Sequence, residues 1–235
     1  MTAERCGAEA ILGRIEADMQ RFLDMEDDRN GRVHSLFAGL YVQTTRHWLA
    51  ELAESEAPEF AYAVIPRFYA LYEEGVLRHL ETPVRQVPRQ WRMYHRLARR
   101  LTMRSPISAH LALISLGARA HIRHDLGIAI AQVLREVEAG RLTIPVIDRE
   151  QFVGSLSARA FLKAALDYVD WHRQRQSGWR WAVLGGYGRG LIVLRRIWVP
   201  VMEGWRRRAY DDGQALVAET PEARARVETF RPAEP

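Results

Sequence analysis

Two ionisable residues stand four positions apart beside the apolar face of a segment rich in leucine, isoleucine and alanine. His121 and Asp125 lie within residues 110–126, where Leu, Ile and Ala dominate. Positions four apart lie on the same side of an α-helix, so the two side chains can meet. A carboxylate beside an apolar helix face needs a partner, because burying an unpaired charge is very costly. The spacing therefore predicts a His121–Asp125 pair.

This pair is compatible with three kinds of site. Asp125 could orient His121, which would then act as a general base or acid toward a bound ligand. His121, Asp125 and His124 could instead bind a metal ion together with ligands from other helices. The pair could also be a structural network that fixes the helix register. The helix signature H-E-x-x-H is absent, which makes the metal site the weakest of the three interpretations.

The helices that would position this pair follow from the spacing of apolar residues. Spacings of three and four dominate, whereas alternation is nearly absent. This pattern predicts an all-α, single-domain helical bundle of about seven helices. The domain is expected to span residues 1–235, with a core at about 9–218 and a flexible tail at 219–235. The predicted helices are Glu9–Met25, Val33–Glu56, Pro58–Leu80, Pro88–Met103, Ile107–Ala139, Asp148–Gln176 with a candidate break at Gly154, and Glu203–Ala218.

The longest predicted helix, Ile107–Ala139, carries a continuous apolar arc that should face the core. Asp125 falls at the margin of this arc, and His121 lies beside it. Gly117 costs a helix interior about 1 kcal/mol relative to alanine, so we expect another group to approach closely there. Gly140 is expected to end the helix. The arc consists of Leu111, Ala118, Ile122, Leu126, Ala129 and Val133.

A stretch rich in glycine and tryptophan, residues 179–202, precedes the last predicted helix. Its glycine cluster, residues 185–190, does not fit the phosphate-loop pattern G-x-x-x-x-G-K-[ST]. No strand pattern precedes it, as a dinucleotide fingerprint would require. We therefore predict a surface loop with packed aromatic residues, with a mobile lid as the alternative.

Composition excludes several classes of protein. The 235 residues are 48% hydrophobic, enough for one substantial core, and the lone Cys6 excludes a disulfide framework. The formal charge of +5 rests on arginine, since Lys163 is the single lysine, and the chain lacks the footprint of a nucleic-acid binder. Nucleic acid is therefore not an expected partner. The sequence shows neither a signal peptide nor a transmembrane segment, so we expect a cytoplasmic protein.

Residues 120–126, Ala-His-Ile-Arg-His-Asp-Leu, resemble the N-A-H-I-x-H-D-L helix of an uncharacterised family of unknown function, common in actinobacterial and fungal genomes. Arg119 stands where that family usually has asparagine. The resemblance covers most of residues 10–218, implies an all-α fold and supplies no reaction. Four further segments are similar to the family's L-Y-x-x-V-T, aromatic, P-x-x-W and A-W-x-x-A motifs: residues 40–45, 67–72, 87–91 and 204–209.

The leading hypothesis from the sequence is a small-molecule enzyme. His121 and Asp125, with His124 nearby, would provide acid–base chemistry to a hydrophobic metabolite, as a cyclase, isomerase, dehydratase or hydrolase of bacterial specialised metabolism. Such reactions need proton movement and shape, so no cofactor is expected. The predicted substrate-binding residues of the pocket are Tyr41, Tyr69, Trp91 and Trp205.

Two other functions remain open at this point. The first is a non-catalytic helical module that carries an apolar ligand or docks on an anionic membrane or protein surface. Such docking would use Trp198, Trp205 and the run Arg206–Arg208. The second is a metal-dependent hydrolase built on His121, His124 and Asp125. The sequence leaves the oligomeric state open.

Overall fold

The computed structural model describes residues 2–27, 30–175 and 194–218. Within these ranges every regular element is helical, which confirms the all-α prediction. Seven of the nine α-helices in the described ranges have thirteen residues or more. The helices are α1 (Ala3–Asp24), α2 (Ser35–Ala53), α3 (Glu59–Gly75), α4 (Arg92–Ala98), α5 (Ile107–Ala120), α6 (Leu126–Glu138), α7 (Arg149–Gly154), α8 (Ala158–Arg175) and α9 (Val199–Val217).

The first helix begins earlier than the predicted start at Glu9. The hydroxyl of Thr2 accepts a hydrogen bond from the backbone N–H of Arg5 at 3.3 Å, so Thr2 acts as the N-cap. The buried face follows the predicted spacing and packs against α2 and α3. This face consists of Ala8, Ile11, Ile15, Met19 and Phe22.

The third and fourth predicted helices are shorter than expected, and the Trp91 side chain packs against the end of α3. α3 ends at Gly75, where the Trp91 indole leaves no room for a side chain: a Cβ at Gly75 would lie 2.2 Å from Trp91 Nε1. The predicted helix Pro88–Met103 divides into a 3₁₀ turn, Arg89–Trp91, and α4. The buried indole of Trp91 thus packs against the end of α3.

The predicted continuous helix Ile107–Ala139 contains a π turn. α5 and α6 are joined by His121–Asp125, where the backbone N–H of Leu126 donates to the carbonyl of His121 five residues earlier. A π turn inserts about one residue into an α-helix and changes the direction of the side chains that follow. Gly140 follows α6 with φ of +66°, the left-handed conformation expected of a C-terminal glycine.

The C-terminal part of the chain was predicted less well. α7 ends at Gly154 and α8 begins at Ala158, so the candidate break at Gly154 is present. α9 begins at Val199 rather than at Glu203, and a second π turn, Leu194–Trp198, precedes it. The surface loop predicted over residues 179–202 is wrong for residues 194–202, which are helical, whereas the glycine cluster at 185–190 and the tail at 219–235 lie outside the described residues.

The helices enclose the π turn His121–Asp125 on several sides. α2 packs on α1, α5 and α8, while α3 packs on α1 and α6. α9 packs against α6, α7 and the π turn. A group of buried aromatic rings lies where α2, α3, α4 and the π turn meet: Phe37, Tyr41, Phe68, Tyr72, Trp91 and Tyr94.

Candidate functional site

The two ionisable side chains of the π turn meet inside the protein. His121 and Asp125 are 2% and 1% exposed, and His121 Nδ1 lies 3.2 Å from Asp125 Oδ2. The contact expected from their spacing is therefore present, and it is far more deeply buried than a helix margin implies.

Asp125 has two further hydrogen-bond donors, both from the segment before α4. Trp91 Nε1–H donates to Asp125 Oδ2 at 3.0 Å, and Gln90 Nε2–H donates to Oδ1 at 3.2 Å. Trp91 was predicted to line the pocket, but its indole lies behind the carboxyl group instead. Gln90 was missed, since no sequence spacing connects residue 90 with residue 125. Three nitrogen atoms thus surround one buried carboxyl group.

Aromatic rings enclose the His121 imidazole. The Phe68 ring stacks on it with a centroid distance of 3.5 Å and an interplanar angle of 7°. The Tyr41 ring meets it edge-on at 4.8 Å. Nδ1 contacts Asp125, whereas the other ring nitrogen, Nε2, is buried and has no hydrogen-bond partner among the described residues. An unsatisfied buried polar atom is unusual, so this nitrogen needs an explanation.

Burial favours the neutral forms of both the His121 and the Asp125 side chains. It lowers the pKa of the His121 imidazole well below its ordinary value. It also raises the pKa of the Asp125 carboxyl well above its ordinary value, while the hydrogen bonds from Gln90 and Trp91 act in the opposite direction. A neutral imidazole at pH 7 can accept or exchange a proton at a ring nitrogen.

His121 forms part of the wall of a cavity of about 400 Å³. Side chains of α2, α3, α5, the π turn, α8 and α9 line this cavity, together with residues beside these helices. Most of the lining atoms are carbon. The residues are Phe37, Leu40, Tyr41, Thr44, Thr45, Trp48, Phe68, Leu111, Ile114, Ser115, Ala118, His121, Ile122, Leu126, Leu156, Phe161, Ala165, Tyr168, Val169, Trp198, Met202 and Arg206.

The structure separates the other predicted site residues. Tyr41 lies in the cavity wall, and its buried hydroxyl has no hydrogen-bond partner in the part of the chain that the structure describes. Tyr69 lies outside the lining, because its hydroxyl donates to Asp18 of α1 at 2.7 Å. Trp205 and His124 are partly buried and also lie outside the lining. Burial and two neighbouring arginines lower the pKa of His124 to about 4.

The docking hypothesis required Arg206 to lie on the surface, but the structure buries this residue. The residue is buried and belongs to the cavity wall. Nη1–H donates to the carbonyls of Val153 at 2.7 Å and Leu156 at 2.9 Å, and Nη2–H donates to that of Phe152 at 3.0 Å. Arg206 therefore belongs to the junction between α7 and α9 rather than to a docking surface.

Gly117 has the close neighbour that its position predicts. A Cβ at this residue would lie 2.8 Å from the ring of Phe37, which belongs to the cavity wall. The Phe37 ring of α2 can thus lie directly on the backbone of α5. Glycine at this position shapes the wall next to His121.

The described residues contain neither a cluster of metal-binding side chains nor a membrane-spanning helix. No group of three or more His, Cys, Asp or Glu side chains comes together there as a metal site would require. No helix in those ranges combines the length and the apolar character needed to cross a bilayer.

Comparison with known proteins gives a family match. The model of a family described as a family of unknown function (DUF5995) matches residues 12–149, which include the whole of α2 to α6 and the π turn. No curated protein and no solved structure matches the chain. The matched part contains His121 and Asp125, whereas α8 and α9, which complete the cavity wall, follow it.

Proposed function

The chain belongs to the DUF5995 family, a family of unknown function, and we propose that it binds a hydrophobic small molecule in the cavity beside His121. The observation that supports this proposal is the cavity itself. Its volume of about 400 Å³ lies within the usual range of small-molecule pockets. Its wall combines many carbon atoms with a few polar groups, as ligand sites typically do.

A cavity-filling substitution tests this proposal. Ala118 is buried in the wall, and phenylalanine there would project into the space that a ligand occupies. We expect Ala118→Phe to weaken binding of the neutral fluorophore N-phenyl-1-naphthylamine by about tenfold or more, or ~1.4 kcal/mol. Fluorescence titration measures the dissociation constant.

The matched control is Ala10→Phe, which adds the same ring at an exposed position of α1. It should bind the fluorophore like the wild type. A second variant, Leu111→Trp, enlarges a partly exposed lining residue and should also weaken binding. If both cavity variants retain wild-type affinity while circular dichroism shows intact helices, the ligand does not bind in this cavity.

A second candidate function is acid–base catalysis on the bound molecule. The observation that favours it is His121 Nε2, a buried ring nitrogen that no described residue contacts by a hydrogen bond, while the other nitrogen of the ring contacts Asp125. The pair lies in a π turn, an irregularity that is frequent at functional sites. In this proposal, a ligand that displaces the surrounding rings exchanges a proton with Nε2, and Asp125 orients the imidazole.

Deuterium incorporation tests the catalytic candidate even though the substrate is not identified. We expect the wild type, incubated with a metabolite extract in D₂O, to add deuterium at carbon to a compound that it binds. His121→Gln retains a hydrogen-bond donor for Asp125 but lacks the imidazole, so it should add none. Mass spectrometry measures the label. Equal labelling by both proteins, or none by either while both bind the fluorophore, would exclude His121 from such chemistry.

A further inference from the structure

Arg206 is a buried cation with no acidic partner at hydrogen-bond distance among the residues that the structure describes. Its side chain is about 95% buried, since 5% is exposed. The acceptors of its hydrogen bonds are three backbone carbonyls and, at 3.5 Å, the hydroxyl of Ser155. Among the ion pairs of the described residues, none includes Arg206. Buried charges in proteins are usually paired, so this arrangement is incomplete.

The neutral acceptors only partly offset this charge. The carbonyls belong to the end of α7 and to Leu156 just after it, and a helix end carries a partial negative charge of about half an electron at most. The guanidinium carbon also lies 5.7 Å from the Trp48 ring and 5.5 Å from the Phe152 ring. Burial lowers the pKa of Arg206 to about 10, while Glu203 and Glu51 act in the opposite direction. The group therefore remains charged at neutral pH.

The cavity offers a place for the missing anion. Arg206 lines it, and no Asp or Glu is found among its described lining residues. The fifth N–H donor of the guanidinium group, at Nε, makes no hydrogen bond within the described part of the chain. A carboxylate accepts such a donor readily and compensates the charge.

We infer that the ligand of this cavity is a hydrophobic monocarboxylic acid, bound as its anion with the carboxylate against Arg206 and its apolar part along the carbon-rich wall. This inference rests on the proposed function, because it specifies the head group of the molecule that the cavity binds. The apolar wall supplies affinity for the tail, whereas Arg206 discriminates between head groups.

Three probes with the same ten-carbon tail separate the contribution of the head group. Decanoate, 1-decanol and decylamine each compete with N-phenyl-1-naphthylamine for the wild-type protein at pH 8. We expect decanoate to bind about tenfold or more tightly than 1-decanol, and decylamine to bind most weakly. If 1-decanol competes as well as decanoate, the head-group inference fails while the hydrophobic cavity stands. If the fluorophore itself does not bind, the proposed function fails.

Measurements at high salt distinguish binding of the carboxylate to Arg206 from a general attraction of the anion to a basic surface. Exposed charges are screened at high ionic strength, whereas a buried pair is screened much less. The preference for decanoate over 1-decanol should therefore persist at 0.5 M NaCl, a test concentration well above the physiological ~0.15 M. Loss of the preference in high salt would assign it to surface arginines and overturn the inference.

Two matched variants of α9 complete the test. Arg206→Gln removes the charge, so the ratio of the decanoate to the 1-decanol affinity should fall to about one. Arg208→Gln removes a charge from an exposed position of the same helix and should leave the ratio unchanged. An unchanged ratio in a folded Arg206→Gln protein would show that Arg206 only holds α7. If Arg206→Gln does not fold, the ratio of the decanoate to the 1-decanol affinity of the wild type, measured in low and high salt, tests the inference instead.

Discussion

Asp125→Ala is expected to lower the free energy of unfolding by about 3–5 kcal/mol, the range observed when one partner of a buried polar pair is removed. The carboxyl group receives N–H groups from Trp91 and Gln90 and contacts Nδ1 of His121. Its removal leaves these buried groups without an acceptor, and each unsatisfied group costs about 1–3 kcal/mol. Chemical denaturation at pH 7, followed by circular dichroism, measures the change.

The chain contains an exposed counterpart of this pair that serves as the control. His47 Nε2 lies 2.7 Å from Asp167 Oδ2, and the Asp167 side chain is 54% exposed. Asp167→Ala should change the stability by less than about 1 kcal/mol, as is usual for surface pairs. If both substitutions cost the same small amount, the buried network does not stabilise the fold and the site geometry needs another explanation.

The contact between His121 and Asp125 was predictable, whereas the π turn that contains it was not. The contact follows from a spacing of four residues, which brings side chains together in any continuous helix. A π turn depends on one extra residue in the backbone hydrogen-bond pattern, and the side-chain sequence carries no direct signal for it. The depth of burial also depends on α3 and α9, which pack over the turn from distant parts of the chain.

The predicted aromatic pocket shows how helix direction limits sequence reasoning. Phe68 and Tyr69 are adjacent in α3, so their side chains diverge by about 100°. Phe68 stacks on His121, while Tyr69 turns toward Asp18 of α1. The sequence identifies both as buried aromatic residues, but only the packing of α3 between neighbours decides which of them reaches the cavity.

Arg206 shows a signal that was present in the sequence and was overlooked. The run Arg206–Arg208 suggested a basic surface. Met202 and Tyr210 stand four residues before and after Arg206 on α9, and both are buried. A cation at the centre of an apolar i, i+4 row indicates a buried charge rather than a solvated face. Its acceptors on α7, by contrast, could not be found from the sequence, because they are backbone carbonyls fixed by packing.

A second large effect is expected from acid, because two core histidines are buried in neutral form. His34 is fully buried: its Nε2–H donates to Asn30 Oδ1, and its Nδ1 accepts from the Tyr94 hydroxyl, both at 2.9 Å. His95 Nε2–H donates to the carbonyl of Gly75 at 2.8 Å. Burial lowers the pKa of His34 to about 3 and that of His95 to about 4.

The sign of the pH dependence follows from these lowered values. An unfolded histidine binds a proton below pH of about 6.5, whereas the folded His34 and His95 bind one below about 3 and 4. The unfolded state therefore holds more protons between these limits, and stability falls as the pH decreases through this window. Each residue contributes a loss of about 1.6 kcal/mol between pH 6.5 and pH 5, or ~3 kcal/mol together.

Other buried groups modify this slope in both directions. His121 and His124, whose pKa values are also lowered by burial, add to the loss of stability in acid. Asp125 and Asp18 oppose it, since burial raises the pKa of each carboxyl group and protonation then favours the folded state. The two carboxyl groups should reduce the acid effect but not reverse it, because neutral histidines outnumber them.

Equilibrium denaturation at pH 7, 6 and 5 measures the slope, and His34→Gln identifies its origin. The variant should be less stable than the wild type at pH 7, since it loses the contact with Tyr94 or Asn30. Below pH 6, its stability should nevertheless decrease less steeply than that of the wild type. The two slopes should differ by about 1.4 kcal/mol per pH unit, which corresponds to one proton. Equal slopes in the two proteins would show that His34 is protonated in the folded state, contrary to a neutral, fully buried imidazole held between a hydroxyl donor and an amide acceptor.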